Sequence, residues 1–203
     1  MRRPAAVAVF LLLACAALGA DLLTKRQVFG TMLNDPALLS GLPAPVGLDN
    51  DVQAARAQLN HFRRQALPGV RFTLSTNPGA VFGFKMPRWL MAAATVATVA
   101  AVLYFFAVSQ AEAWLMHTAL ALVLGGALGN LYDRLFSVVA LPGYEPIRYQ
   151  VRDFIDCSEL YYKWVFNVAD AWLVIGAGLL AAHWLAMAIR QQRQAVVTGG
   201  PGG

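Results

Sequence analysis

The chain has 203 residues, of which 58% are hydrophobic and only 13% are charged. Soluble domains of this size carry about twice as many charges, so the composition points to the lipid bilayer as the solvent of this chain. The formal net charge is +5, but no soluble domain is present to offer a basic face, so we exclude nucleic acid as a partner and expect contacts with membrane lipids.

Four apolar runs are each long enough to cross the hydrocarbon core, which takes about twenty residues of helix. We predict spans at about residues 4–23, 88–108, 112–132 and 168–189. Polar segments separate the first two spans, at about 31–86, and the last two, at about 135–166. Because four spans return the chain to its starting side, both polar segments lie on one side of the membrane.

Cations in the short tails set the predicted orientation. Arg2 and Arg3 precede the first span, and Arg190 and Arg193 follow the last one. By the positive-inside rule both termini lie in the cytoplasm, and the two polar segments lie outside. The first polar segment is also rich in arginine, but long translocated segments follow this rule poorly. We therefore expect a multi-pass membrane protein with its polar segments on the outer side.

The amino terminus also fits a cleavable signal peptide, because two arginines precede an apolar stretch and small residues. Residues 12–15 even resemble a lipoprotein processing box. Asp21 and Lys25 follow at helical spacing, however, as they would if the helix continued past the apolar part. We therefore expect the segment to be retained as the first span.

The sequence of the first polar segment predicts both a helix and a strand. Apolar residues recur at helical spacing between Asp49 and Pro68, which predicts an amphipathic helix. This helix could lie on the headgroups or pack on its own subdomain. Residues 70–75 alternate as in a strand, and residues 77–79 form a turn. The predicted fold is thus an all-α membrane protein, with four transmembrane helices, a small extracytoplasmic β/α subdomain and a disordered tail at 198–203.

Ionisable residues in or near spans are rare and therefore candidates for function or for internal pairing. Asp21 and Lys25 lie four residues apart, at what we predict to be the outer end of the first helix, and can form an ion pair. Near the outer end of the third span, Asn130 and Arg134 share a face, and Asp133 is expected to pair with Arg134. Before them, Gly126 belongs to a run of small residues that lets another helix approach closely.

Further carboxylates cluster near the same membrane boundary. Asp153 and Asp156 lie in the second polar segment, and Asn167 and Asp170 open the fourth span on one face. Two carboxylates in close contact cannot both ionise cheaply, so one keeps a proton while the other can activate water, as in aspartic proteases. The three histidines and two cysteines are scattered, so we expect no metal site and no serine-histidine chemistry.

Five sequence blocks, taken in order, resemble the lipoprotein signal peptidase family, also called signal peptidase II. They are Asp-Leu-Leu-Thr-Lys at 21–25, Asn-Pro-Gly-Ala-Val-Phe-Gly at 77–83, Gly-Gly-Ala-Leu-Gly-Asn-Leu-Tyr-Asp-Arg at 125–134, Val-Arg-Asp-Phe at 151–154 and Phe-Asn-Val-Ala-Asp at 166–170. The resemblance implies a four-helix intramembrane aspartic peptidase without a cofactor. Such an enzyme cuts prolipoproteins on the amino side of a diacylglyceryl-modified cysteine.

By this resemblance the catalytic carboxylates are Asp153 and Asp170. The residues alone do not single out Asp153 from Asp133 or Asp156. The resemblance also implies a set of supporting residues: Asp21, Lys25, Asn77, Gly79, Gly126, Asn130, Arg134 and Asn167. The expected partners are lipid-modified prolipoproteins and membrane lipids, and we expect the enzyme to act as a monomer with its active site near the outer face.

The sequence departs from the family pattern in two segments, which both look longer than usual. They are residues 33–68 and 137–150. Two other functions fit the same composition. A small carrier would use buried charges as a translocation path, although carriers place them near the middle of the bilayer. A non-catalytic scaffold would use the carboxylates only for ion pairs.

Overall fold

The computed structural model of the chain describes residues 4–41, 52–81 and 84–198. Its helices are α1 (Pro4–Leu33), α2 (Pro36–Ser40), α3 (Val52–Leu59), α4 (Arg88–Val108), α5 (Trp114–Phe136) and α6 (Val168–Thr198). Within the described residues, α1, α4, α5 and α6 are long and apolar enough to cross a membrane. The prediction of four candidate spans is confirmed.

Three of these helices extend beyond the predicted spans. Helix α1 continues ten residues past residue 23 to Leu33, where the Asn34 side chain donates to the carbonyl of Gly30. Asp35 then begins α2 by accepting a hydrogen bond from the backbone N–H of Ala37. The end of an apolar run is therefore not the end of its helix, because the polar residues that follow still favour helix. Helix α6 reaches Thr198, and the rest of the predicted tail, 199–203, lies outside the described residues.

Helix α5 is the centre of the bundle. It packs against α1, α4 and α6. Its apolar 18-residue stretch is 61% buried inside the protein, compared with 28% for that of α1 and 6% for that of α6. One apolar core joins α1, α4 and α5, and its buried members are Phe10, Ala14, Val102, Phe106, Met116, Leu120, Ala121 and Leu124. The other helices therefore leave most of their apolar surface for lipid.

The polar segments fold into a small β-region, as predicted. Its strands are β1 (Arg63–Leu67), β2 (Val70–Asn77), β3 (Ala80–Val81), β4 (Phe84–Lys85), β5 (Val138–Val139), β6 (Ile147–Arg148), β7 (Val151–Asp156) and β8 (Val165–Phe166). Four of them form an antiparallel sheet in the order β1-β2-β7-β8. Strand β7 thus brings the second polar segment alongside the first.

The amphipathic helix predicted before Pro68 is only partly correct. Helix α3 ends at Leu59, and residues 63–67 form β1 instead. This strand folds back on β2 through a turn at Gly69, whose φ of +80° favours glycine. Pairing with β2 therefore overrides the helical pattern of the sequence. The predicted cap at Asp49 and Asn50 lies outside the described residues.

A second apolar core joins the end of α1 to the sheet and to α3. Its members include Phe29 and Met32 from α1, Leu59 from α3, Leu74 from β2 and Phe154 from β7. Because Ala55 and Leu59 are fully buried here, α3 packs within its own subdomain, and the alternative of an apolar face lying on the headgroups is not the observed arrangement. The sheet is thereby attached directly to the first long helix.

Candidate active site

A buried ion pair in the middle of α1 anchors the polar centre of the bundle. The Nζ atom of Lys25 lies 2.7 Å from Oδ2 of Asp21, and both side chains are fully buried. The predicted pair is confirmed, but it does not lie at the end of the helix, since α1 continues to Leu33. The other oxygen of Asp21 accepts the backbone N–H of Ala169 at 2.9 Å. Asp21 therefore satisfies one of the free N–H groups at the beginning of α6.

The ammonium group of Lys25 also contacts two residues of α5. It donates to Oδ1 of Asn130 at 3.1 Å and lies 3.2 Å from Oδ2 of Asp133. A buried charge is stable only where it is paired and hydrogen-bonded, and Lys25 meets this condition with three partners. One side chain thus joins the polar residues of α1 and α5.

Asp133 does not pair with its sequence neighbour Arg134, so the predicted pair is wrong. Its partners are Lys25 and Arg152, whose Nη2 and Nε atoms lie 2.6 Å and 3.0 Å from Oδ1. Adjacent residues on a helix point about 100° apart, so Arg134 forms no direct ion pair with Asp133 in the described part of the chain, although the two charges interact. The pairing with Arg152, on strand β7, comes from the tertiary fold and has no signal in the local sequence.

Asn167 and Asp170 begin α6 with a reciprocal capping arrangement. The side-chain oxygen of Asn167 accepts the backbone N–H of Asp170 at 3.0 Å. In return, Oδ2 of Asp170 accepts the backbone N–H of Asn167 at 3.3 Å. This is the geometry of a capping box, with asparagine and aspartate in place of the more usual residues. The spacing Asn-x-x-Asp in the sequence therefore fixes the start of α6 and the direction of the Asp170 side chain.

Two asparagine amides connect the carboxylates of different elements. Asn130 donates from Nδ2 to Oδ1 of Asp170 at 2.8 Å. Asn167 donates from Nδ2 to Oδ1 of Asp153 at 2.6 Å and to Oδ1 of Asn130 at 3.1 Å. Helix α5, helix α6 and strand β7 thus meet in one hydrogen-bond network, which contains four of the predicted site residues.

The structure brings Asp153 and Asp170 into one site, as the sequence resemblance implied. Asp153 lies on β7 and is almost completely buried. Burial, followed by the nearby negative charge of Asp170, raises the pKa of Asp153 well above its usual value. A carboxyl group with a raised pKa beside a second carboxylate is the arrangement from which acid and base roles arise.

Asp156 does not join this pair, although it lies only three residues after Asp153. An odd spacing along a strand places two side chains on opposite faces. Asp156 accepts hydrogen bonds from the hydroxyl of Thr73 at 2.8 Å and from the backbone N–H of Ser158 at 2.9 Å. Although burial opposes this change, the hydrogen bonds from Ser158 and Thr73, together with Arg71, lower the pKa of Asp156 to about 2. Of the two carboxylates of the second polar segment, only Asp153 therefore joins the network that contains Asp170.

One cavity lies beside Asp170, and a second one lies at Arg134. The first has a volume of about 370 Å³, is mainly apolar and is lined by Cys157, Tyr162, Phe166, Asp170, Ala171, Val174 and Ile175. The second has a volume of about 280 Å³ and is lined by Pro78, Trp89, Met91, Ala92, Leu131, Arg134, Leu135 and Tyr149. The charge of Arg134 interacts with those of Asp170 and Asp153. The site therefore has an apolar side at α6 and a cationic side at α5.

Asn77 and Gly79 shape the turn after β2. The side-chain oxygen of Asn77 accepts the backbone N–H of Gly79 at 2.9 Å, and Gly79 has a φ of +119°, which favours glycine. Asn77 pairs with Val151 in the sheet, two residues before Asp153. The rest of the predicted block, Phe82 and Gly83, lies outside the described residues.

Gly126 allows α5 and α6 to touch at the level of the site. A Cβ atom on Gly126 would lie 2.5 Å from the carbonyl oxygen of Ala169 and 3.0 Å from Cγ of Leu173. One turn later, a Cβ on Gly129 would collide with the carboxylate of Asp21. The predicted small-residue face therefore provides space for the backbone beside Asp170 and for the ion pair of α1.

Arg152 is the member of the network that the sequence did not indicate as a site residue. A family resemblance directed attention to the aspartate that follows it, and a single arginine in a polar segment usually has no specific partner. The pattern of strand β7 places residue 152 on a different face from Asp153. Only the position of α5 beside this strand reveals its contact with Asp133.

Comparisons with known proteins show the family to which the chain belongs. A family model described as signal peptidase (SPase) II matches residues 13–186. A lipoprotein signal peptidase of Desulfitobacterium hafniense is 38% identical over 109 residues, which are 53% of this chain and 64% of that protein. The corresponding enzyme of Symbiobacterium thermophilum is 34% identical over 126 residues, or 61% of this chain and 76% of that protein.

The fold is also similar to that of a solved bacterial membrane enzyme. The two chains share 26% sequence identity and superpose with a TM-score of 0.63 over 89% of each. The sequence match to the D. hafniense enzyme covers slightly less than two thirds of that protein's length, whereas the structural match covers nearly all of both chains. On the family match over residues 13–186, the chain belongs to the signal peptidase II family.

Proposed function

We propose that this protein is an aspartic endopeptidase that removes signal peptides from diacylglyceryl-modified prolipoproteins, cutting on the amino side of the lipidated cysteine. The observation that carries this proposal is the meeting of Asp153 and Asp170 in one buried network. They come from a strand and a helix, and Asn167 contacts both of them. The names of the relatives support the choice of substrate.

The two carboxyl groups offer the two roles that peptide hydrolysis needs. Burial and the nearby charge of Asp170 raise the pKa of Asp153, so Asp153 is the carboxyl group of the two that we propose to carry the proton. Both oxygens of Asp170 accept hydrogen bonds, from Asn130 and from the backbone of Asn167, as the oxygens of an ionised carboxylate do. We therefore assign Asp170 as the base and Asp153 as the acid.

In this mechanism Asp170 removes a proton from a water molecule, whose oxygen attacks the scissile carbonyl carbon. The proton of Asp153 stabilises the developing oxyanion. The tetrahedral intermediate then collapses, the C–N bond breaks, and the leaving amine of the cysteine takes a proton from Asp170. Asn130 and Asn167 keep both carboxyl groups in place during these steps, since each donates to one of them.

The apolar cavity beside Asp170 is suited to the lipid-bearing part of the substrate. It lies against α6 and is lined mainly by aromatic and aliphatic side chains. The acyl chains of a diacylglyceryl group on the cysteine would lie in this cavity. Its apolar lining would shield them from water, so they could leave the lipid without a cost in free energy. The signal helix would then approach from the side of Arg134.

We also propose that the protein lies in a bacterial inner membrane with both termini in the cytoplasm and the site near the outer face. Arg2 and Arg3, which precede α1, support this orientation, as do Arg190 and Arg193, which follow the apolar part of α6. The sheet, which carries Asp153, then lies on the outer side. The enzyme is proposed to act as a monomer, since both carboxyl groups come from one chain.

The test is cleavage of a diacylglyceryl-modified prolipoprotein by the purified protein in detergent. Wild-type protein is expected to cut before the lipidated cysteine, and Asp153→Asn and Asp170→Asn are expected to leave the precursor intact while remaining folded. Asp156→Asn is the matched control, because it alters a carboxylate of the same strand that faces away from the pair. Cleavage by either variant of the pair would refute the assignment, and an intact precursor with folded wild-type protein would favour a carrier or a scaffold.

A further inference from the structure

The guanidinium group of Arg152 is held on two sides. Its Nη2 and Nε atoms donate to one oxygen of Asp133 at 2.6 Å and 3.0 Å, and its Cζ atom lies 6.0 Å from the ring centroid of Phe29. Only 15% of the side chain is exposed, and Asp133 is fully buried. Two charge-assisted hydrogen bonds to one carboxylate, at a site largely shielded from solvent, fix the orientation of the guanidinium group as well as attracting it.

The backbone of Arg152 is bound to the same carboxylate. Its N–H donates to Oδ2 of Asp133 at 2.9 Å. On one edge β7 pairs with β2, but on the other edge β8 pairs only with Ile155 and Asp156. Asp133 therefore takes the place of a strand partner at this edge, one residue before Asp153.

Asp133 is also linked to the other member of the pair. Lys25 lies 3.2 Å from Asp133 and 2.7 Å from Asp21, and Asp21 accepts the N–H of Ala169. Ala169 immediately precedes Asp170, as Arg152 immediately precedes Asp153. A continuous series of charged contacts thus runs from the neighbour of one carboxyl group to the neighbour of the other.

We infer that Arg152 is a positioning residue, which acts through Asp133 to fix the carboxyl group of Asp153 relative to Asp170. This inference rests on the proposed peptidase function. Arg152 takes no part in the reaction itself, but it sets the distance between the carboxyl groups of Asp153 and Asp170. Small displacements of a catalytic group are costly, since about 1 Å of misplacement can lower a rate by about 100-fold.

The inference is tested with Arg152→Gln, Arg152→Lys and the control Arg71→Gln. Arg71 joins β2 to β7 by an ion pair with Asp156 at 3.4 Å, at the end of β7 and three residues beyond Asp153. Arg152→Gln is expected to lower kcat by about 10- to 100-fold, while KM stays within about threefold of wild type. Arg152→Lys keeps the charge but loses the two-bond geometry, and is expected to recover part of kcat. Arg71→Gln is expected to leave both constants unchanged.

Thermal unfolding of each variant is measured beside the kinetics. A merely structural role would lower Tm and the amount of folded enzyme without changing kcat per folded molecule, and that result would overturn the inference. An equal loss of kcat in Arg71→Gln would also overturn it. If Arg152→Gln does not fold, the decision falls to Arg152→Lys, for which a kcat equal to wild type refutes the inference. Absence of cleavage by wild type would instead refute the proposed function.

Discussion

The side-chain amide of Asn167 donates to Oδ1 of Asp153 over 2.6 Å. This contact joins the first residue before α6 to a strand that lies in a different part of the fold. Such a hydrogen bond lowers the pKa of a carboxyl group, yet burial and the charge of Asp170 outweigh it, and the pKa of Asp153 is well above its usual value. Between its unfolded and its folded pKa, Asp153 therefore carries a proton in the folded protein that it would release in the unfolded chain.

This proton makes stability depend on pH. A carboxyl group with a raised folded pKa contributes stability that is complete below its unfolded pKa, about 4, and is lost as the pH rises to the folded value. We therefore expect Asp153→Asn to unfold at a higher temperature than wild type at neutral pH, with a difference that shrinks as the pH falls towards 4. Thermal unfolding in detergent between pH 4 and pH 8 measures this.

Asp156→Asn provides the control of opposite sign. In the wild-type protein the pKa of Asp156 is lowered to about 2. The stability that this carboxylate contributes is therefore complete above the unfolded pKa and is lost as the pH falls from the unfolded pKa to about 2. This variant should be less stable than wild type at neutral pH. A pH dependence of the same sign in both variants would contradict the protonation states proposed here.

Removal of the buried ammonium should cost more stability than any change on the surface. Lys25→Met leaves Asp21 and Asp133 buried without their shared cation, which should lower the free energy of unfolding by about 3–5 kcal/mol. The exposed Lys163→Met is the control and should have little effect. Addition of Asp21→Asn to Lys25→Met should restore part of the loss, because it removes one unpaired charge. A Lys25→Met protein as stable as wild type would mean that the ion pairs of Lys25 make no net contribution to the free energy of unfolding.

The contact of α5 with α6 can be tested with two glycines. Gly126→Ala places a methyl group against the carbonyl of Ala169, so α6 must shift, and we expect a loss of about 1–3 kcal/mol together with weaker cleavage. Gly178→Ala meets no neighbouring atom within 4 Å and should stabilise its helix by about 0.5–1 kcal/mol. Equal effects of the two changes on Tm would show that the close approach at Gly126 is not required.

The sequence predicted the parts of the fold that local patterns determine. Apolar runs gave the four candidate spans, and alternation gave strand β2, because both depend on which residues meet lipid or core. The pair of Asp21 and Lys25 was also predictable, since a spacing of four on a helix brings two side chains together. The capping arrangement of Asn167 and Asp170 follows from their spacing of three.

Contacts between distant segments were not predictable in this way. The sequence placed Asp133 with Arg134 and grouped Asp156 with Asp153, because it offers only neighbours as partners. The structure instead gives Asp133 to Arg152 and turns Asp156 towards Thr73. The end of the predicted amphipathic helix became a strand for the same reason, since its partner β2 lies beyond the turn. The family resemblance, and not the residues themselves, selected Asp153.

Helix α1 has thirty residues and is therefore about 45 Å long, whereas the hydrocarbon core of a bilayer is about 30 Å thick. Its protruding end carries Phe29 and Met32 into the core of the sheet, and its middle carries the ion pair that holds α6. The sheet and the bundle are thus attached to the same helix, so the position of the Asp153–Asp170 site relative to a bilayer depends on how that helix is inserted. In bilayers of different thickness, hydrophobic mismatch would tilt α1 and change the depth of the site, while the distance between the two carboxyl groups would stay the same.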